Sequence, residues 1–490
     1  MNGGDKFSSG CIVMLSILSS WSGVCLSAPA EPVQSVVENN VTGIPVYNSE
    51  GVPAVKGPRP ESASGPLMNL GDALAAHGIN YQGFFLAGYF NNLSTGARPG
   101  HGGYQGLFIN SVDLDLDKML SVPKAKIHTE VTLFPFSSQR GNTFFGNYAS
   151  SYLGTDQFPS HTTGAPWLSL LTYEQTVLND KLNFEVGKST LVRYFFLPNC
   201  GVDFECTDVG VKWTTRDPDP SVGMPTARVR YDATPHFSIE AGVQQLRGYS
   251  AVVRQNGWDF ASYSDGEGAL LVGGVGYHSD FSTERLPSVY SLDYFYSNSR
   301  VQDPYYSVNG NSVVLTGEQA QSHVGSGGIV FKMQKTLWAD QDGLLPDVRA
   351  VPRNLTFFST FVRSFDTARA VGWAFTGGLT LTDPFKRRWN WFSVDQFNVK
   401  TMYLRLNRST LLAQRDSRML LGGTSETTSP NEYRFEVSGT FSLGRYAKLQ
   451  PVIEYILNPD GSQSGDSKRV PRSGWLAGAT LAITFGNVNP

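Results

Sequence analysis

The chain has 490 residues, with 17% charged, 12% aromatic and 51 glycines, and its 39 basic and 42 acidic side chains leave a net charge of -3. The charged share is well below the roughly 25% of an ordinary soluble domain. The balance excludes a basic nucleic-acid binder, the aromatic content excludes a disordered acidic tail, and four cysteines exclude a disulfide-stapled miniprotein.

In chain order, residues 1–30 read as a secretory signal peptide. After Lys6 no charge appears until Glu31, the apolar stretch Ile12 to Leu18 follows, and Ala28-Pro29-Ala30 offers a cleavage pattern. Val24 before Cys25 argues against a lipid anchor. Residues 31–69, with Pro53, Pro58, Pro60 and Pro66, read as a Pro/Gly-rich periplasmic linker. Leu70 to Gly78 predicts a short N-terminal helix closed by Gly78. Beyond residue 30 no window supplies the roughly 20 apolar residues of a helical span.

From Tyr81 the pattern changes. Runs of about ten residues alternate in polarity between Gly, Asn, Asp and Pro clusters. Val112, Leu114 and Leu116 share one face, with Asp113, Asp115 and Asp117 on the other. Ile127, Val131 and Leu133 oppose Lys126, His128 and Glu130. The dyad recurs at 228–232, 237–243, 371–381 and 433–438, and ends with Trp475 to Phe485. Sixteen or seventeen strands are expected. Val209 to Trp213 is the weakest, Phe397 to Asn407 slips phase, and no amphipathic helix is expected among them. A soluble β-protein would hide the apolar faces, whereas a transmembrane barrel turns them to lipid. Strand length and aromatics at strand ends favour the barrel. The expected fold is all-β, an antiparallel transmembrane β-barrel over residues 70–490.

Four stretches carry a family resemblance: Leu70 to Tyr81, Val112 to Leu120, Tyr173 to Lys188 with the Asn199-Cys200 region, and Leu449 to Pro459. Through them the chain resembles the carbohydrate-selective porins of the Gram-negative outer membrane, the OprB type, over roughly residues 70–485. Residues 250–350 match poorly. Thr360 stands where the family often has Arg, and Val452 where it often has Asp. The resemblance implies a monomeric or trimeric barrel of sixteen strands that admits monosaccharides such as glucose into the periplasm, without catalysis. It implies that Phe485 is the outward aromatic read by the barrel-assembly machinery, although Gly486 to Pro490 follow it.

A sugar pore needs hydrogen-bonding groups to exchange for the solute's water, and an aromatic surface for its C–H face. Strand parity assigns Lys126, Glu130, Glu185, Arg228, Arg230, Glu240, Lys332, Arg434, Glu436 and Glu454 to the lumen. That balanced set suits a neutral solute; phosphate-selective pores concentrate Arg and Lys. Asp113, Asp115 and Asp117 step about 6.6 Å apart along a strand, too far to share one ion, and read as lumen wall. Cys200 and Cys206 are expected to form a disulfide in an oxidising compartment. Lys386 to Trp391 reads as a solvated turn, or as a contact with anionic lipid. No metal, cofactor or nucleic acid is expected, and the lipid of the outer membrane is the expected surrounding. The alternatives are a general-diffusion porin, a barrel hydrolase and a soluble glycan binder. No G-x-S-x-G elbow or H-E-x-x-H motif supports the hydrolase.

Overall fold

The computed structural model describes residues 71–486 apart from 72, 137–164, 197–222, 248–255, 259–265, 346–350, 386–387, 390–391, 445 and 462–467. The strands are β1 (Ile79–Asn92), β2 (His101–Asp115), β3 (Ala125–Leu133), β4 (Trp167–Val177), β5 (Leu182–Ser189), β6 (Met224–Asp232), β7 (Phe237–Arg247), β8 (Gly266–His278) and β9 (Ser288–Ser307). They continue with β10 (Ala320–Ala339), β11 (Asn354–Ser364), β12 (Val371–Thr382), β13 (Arg388–Trp389), β14 (Phe392–Leu406), β15 (Asn431–Leu443), β16 (Ala447–Leu457) and β17 (Gly474–Gly486). Each pairs antiparallel with its chain neighbour. β17 returns to β1, with Phe485 opposite Gly83, so the sheet closes. The two-residue β13 pairs only with β14, and β12 reaches β14 directly. Sixteen strands therefore make the wall. Closure matters because an open edge in hydrocarbon would leave backbone groups unpaired.

The wall is inside-out relative to a soluble protein. On β5 to β7 the apolar Val186, Val229 and Ile239 are 51%, 41% and 48% exposed, while Glu185 and Arg228 are 5% and 4% exposed. Apolar residues facing out and charged residues facing in are the signature of a membrane barrel. The connections divide by length. Those after β2, β4, β6, β8 and β15 are short; those after β3, β5 and β14 are long. Long loops mark the extracellular end and short turns the periplasmic one.

At the periplasmic end, residues 73–76 are helical and Gly78 closes the turn at φ +85. A Cβ there would strike the Asp115 carbonyl and Met119. The short helix α1 (Leu116–Leu120) follows β2 directly. Asp115 caps it by accepting from the Asp117 and Lys118 amides, so the acidic triplet forms wall only in part. Asp113 and Asp115 lie on strand-paired wall as expected, opposite His128 and Lys126, and only Asp117 leaves it, inside α1, because the Asx cap at Asp115 ends the ladder there. The Lys386 to Trp391 run falls partly outside the described residues, and its described part is β13, beside the periplasmic turn. The doubtful strand Val209 to Trp213 lies outside them too.

A further departure is a helix. Arg408–Leu420 forms α3 (α2 is the short Val313–Thr316). Met402, Leu404 and Leu406 of β14 face inward and pack with Leu411 of α3. This explains the apparent phase slip. Alternation holds from Gln396 to Leu406, but the inward face turns from polar to apolar where the helix folds onto it. The lumen is thus not polar throughout. Phe84, Leu86, Phe90 and Ile109 of β1 and β2 form another inward apolar cluster with Val452, Ile456 and Leu476.

Candidate functional site: the lumen wall and its in-folded turn

The sequence-assigned residues fall into three sectors. The largest lies on β3 to β7, where register aligns Lys126, Glu174, Glu185 and Arg228 on successive strands. One step away, Asn183, Arg230 and Glu240 align. Lys126 with Glu174, Glu185 with Arg228 and Arg230 with Glu240 are opposite-charge neighbours that stabilise the wall, whereas Glu174 and Glu185 are like charges side by side and draw on His128, Asn183 and Arg228 for compensation. The Arg228 side chain meets Glu240 through its Nε and stands 4.0 Å from Glu185. Arg230 reaches Asp232 at 3.0 Å. His128 takes a carboxylate on each ring nitrogen, Asp113 at 2.8 Å and Glu174 at 2.6 Å. Asn183 donates to the other Glu174 oxygen at 2.6 Å.

The second sector is Lys332 of β10, 3.9 Å from Asp293 of β9. The third lies on β14 to β16. Lys400 and Glu436 pair at 2.7 Å with both side chains fully buried. Arg434 stands 3.1 Å from Glu454. Thr360 and Val452, the departures noted above, are both buried on inward parity.

The main functional feature absent from the strand-based reading follows β5. Residues Val192–Phe196 form a single π-helical turn that folds into the barrel. Leu191, Val192, Phe195 and Phe196 cover inward apolar residues of β7 to β11, namely Leu246, Leu270, Val272, Phe295, Val330 and Val362. The Leu191 amide donates to Gln244 at 2.6 Å. Gly242 on β7 leaves space for the turn, since a Cβ there would press on the Leu191 side chain at 2.6 Å. The two polar residues of the turn reach the charged wall. Arg193 donates both terminal nitrogens to Glu130, at 3.1 and 2.5 Å. The Tyr194 hydroxyl donates to Glu185, and its ring lies 4.1 Å beneath the Arg228 guanidinium. A bidentate Arg–carboxylate pair and a cation–π contact together fix the turn across the lumen.

Glu130, Glu185, Arg228 and Glu240 are therefore brought into one network, with Arg230 adjacent. Lys126 is on the same wall, and Lys332, Arg434, Glu436 and Glu454 stand elsewhere on the circumference. Glu174 and His128 were legible as polar-parity positions on β4 and β3. Arg193 and Tyr194 had no such signal, because the turn lies in a connection whose inward fold depends on tertiary packing. Cys200 and Cys206 lie outside the described residues.

Comparison with known proteins agrees with this architecture. The family model "Carbohydrate-selective porin, OprB family" matches residues 101–485. Porin B of Pseudomonas aeruginosa is 23% identical over 252 residues, covering 50% of this chain and 52% of that protein. The chain thus spans about half the length of that curated relative. The high-pH structure of Pseudomonas putida OprB superposes with a TM-score of 0.70 at 22% identity, covering 84% of this chain and 96% of that one. Its low-pH structure gives 0.50 at 15% identity, over 86% and 98%. With the closed sixteen-stranded wall, these matches show that the chain belongs to the OprB family of carbohydrate-selective porins, β-barrels of the outer membrane.

Proposed function

We propose that the barrel is a passive pore that carries neutral carbohydrates, monosaccharides such as glucose, into the periplasm. The observation that carries this reading is a charge-balanced, ion-paired lumen wall meeting an aromatic residue, Tyr194, on an in-folded turn. Paired charges of both signs offer donors and acceptors to a sugar's hydroxyls without a net field that would favour ions of one sign. Binding has to stay weak for flux, which suits a ladder of single contacts better than an enclosing pocket.

Lys126, Glu130, Glu185, Arg228, Arg230, Glu240, Lys332, Arg434, Glu436 and Glu454 are the proposed lining. No catalysis is proposed. His128, the best-buried histidine of the wall, gives both ring nitrogens to carboxylates and keeps none for a nucleophile. The same proposal includes a cleaved signal peptide at 1–30, a periplasmic linker at 31–69, a Cys200–Cys206 disulfide, and recognition by the assembly machinery through the strand bearing Phe485. A homotrimer is the assembly proposed, to be weighed against a monomer by light scattering of the detergent-solubilised protein.

Single-channel current across a planar bilayer tests the function. A saturable fall in current with glucose, where a size-matched polyol does little, is the expected result. Conductance without saturable block would reduce the reading to general diffusion, and no conductance from folded protein would overturn it.

A further inference from the structure

The outward face carries a feature that conduction does not use. Near the extracellular end, Arg363 of β11, Trp373 of β12 and Arg405 of β14 stand on one register line. Both arginines are exposed. Arg363 lies between the buried Val362 and Ser364, and Arg405 between the buried Leu404 and Leu406, so both side chains sit on the outward parity. Two strand spacings separate them by about 10 Å.

Directly toward the membrane centre runs an aromatic row on the same face. Phe361 and Trp373 are 6.0 Å apart, Trp373 and Tyr403 4.3 Å, and Tyr403 and Tyr433 5.0 Å. Such a row marks the boundary between acyl chains and head groups. The two guanidinium groups stand one outward-facing position beyond Phe361 and Tyr403, level with Trp373. Neither makes an ion pair with a carboxylate among the described residues. Asp366 is taken by His323 and Arg369, and Glu432 is buried and accepts the Asp460 amide. Arg408, exposed at the start of α3, adds a third cation at this rim.

We propose that Arg363 and Arg405, flanking Trp373, bind the phosphate groups of a phosphorylated glycolipid in the outer leaflet. The barrel holds both cations on rigid strands at head-group depth, and the aromatic row supports the sugar and upper acyl chains of the same lipid. Guanidinium groups suit the role because they bind phosphate bidentately and remain charged at low polarity. Their outward parity separates the site from the lumen.

The test uses the full-length barrel, with bisphosphorylated lipid A as probe and native mass spectrometry to measure binding. The double variant R363Q/R405Q is expected to bind at least tenfold more weakly. Enzymatically dephosphorylated lipid A should bind the parent as weakly as that, with no further loss in the variant. Arg285→Gln, a cation in the periplasmic turn after β8, serves as control and should match the parent. Retained heat-modifiable mobility and unchanged conductance will establish that the double variant is folded. Parent-like binding by the double variant would overturn the proposal. So would equal binding of the phosphorylated and dephosphorylated lipids, which would leave acyl and aromatic contact alone. Inorganic pyrophosphate bound as tightly as lipid A would also overturn it, by assigning the site to free phosphate.

Discussion

At the scale of single residues, the deciding contacts are charges taken out of water in pairs. Arg193 and Glu130 each have side chains only 2% exposed. Arg193→Ala would leave Glu130 buried and alone, at an expected cost of about 3–5 kcal/mol. Replacing both by Leu should cost far less, because no charge is stranded. Urea unfolding of the barrel in lipid vesicles, arranged as a double-mutant cycle, measures the difference. Tyr194→Ala removes the ring under Arg228 and the donor to Glu185. It is expected to weaken glucose block of the pore severalfold while conductance persists. At the tip between β9 and β10, Ser307, Asn309 and Asn311 donate to the Glu318 carboxylate and hold its pKa below the ordinary value. A depressed carboxylate pKa contributes stability that is present above the unfolded value, about 4.3, and is lost as pH falls through the lower folded one. Amide exchange at Ser307 to Asn311 should therefore accelerate in that acid window and not above pH 6, after correction for intrinsic rates. A Glu318→Gln variant should lack the acid step.

At the scale of elements, two segments convert an open cylinder into a shaped lumen. The Val192–Phe196 turn and helix α3 each cover an inward apolar patch. Gly242 makes room for the first. Gly242→Leu would compete with Leu191 for the same volume and is expected to displace the turn, which raised conductance and a weakened sugar block would report. For α3, Leu411→Ala removes its contact with Met402, Leu404 and Leu406, at an expected cost of about 2–5 kcal/mol. Faster proteolysis within residues 408–420, with the wall intact, is the measurement. Neither segment was legible in the sequence, for separate reasons. The turn sits among connection residues with no period. In α3, Arg408, Arg415 and Arg418 interrupt the apolar residues, and β14 changes the polarity of its inward face without changing its alternation. Strand parity was legible, and it placed Glu185, Arg228, Arg434, Glu436 and Glu454 on the buried inward face because a period of two admits only two faces.

At the scale of the whole molecule, lipid outside and a filled, polar-lined lumen inside impose opposite demands on adjacent residues. Ile239→Arg puts a charge on the lipid face and is expected to cost about 2–4 kcal/mol near mid-membrane, falling toward the interfaces. Its neighbour Ser238, buried on the inward face, should tolerate Asn far better. Folding yield into lipid vesicles, read by heat-modifiable mobility, compares the two. The amino-acid sequence by itself determined the class of fold and the two faces of each strand, because backbone pairing in hydrocarbon leaves a chain with this alternation only a barrel, while closure of β17 on β1 at sixteen strands was read from the tertiary structure. Tertiary structure alone decided which inward charges meet. Register set Glu185 beside Arg228, but only the folding-in of a distant turn brought Arg193 to Glu130 and Tyr194 to both Glu185 and Arg228. Those contacts depend on long-range apolar packing, which no local period encodes.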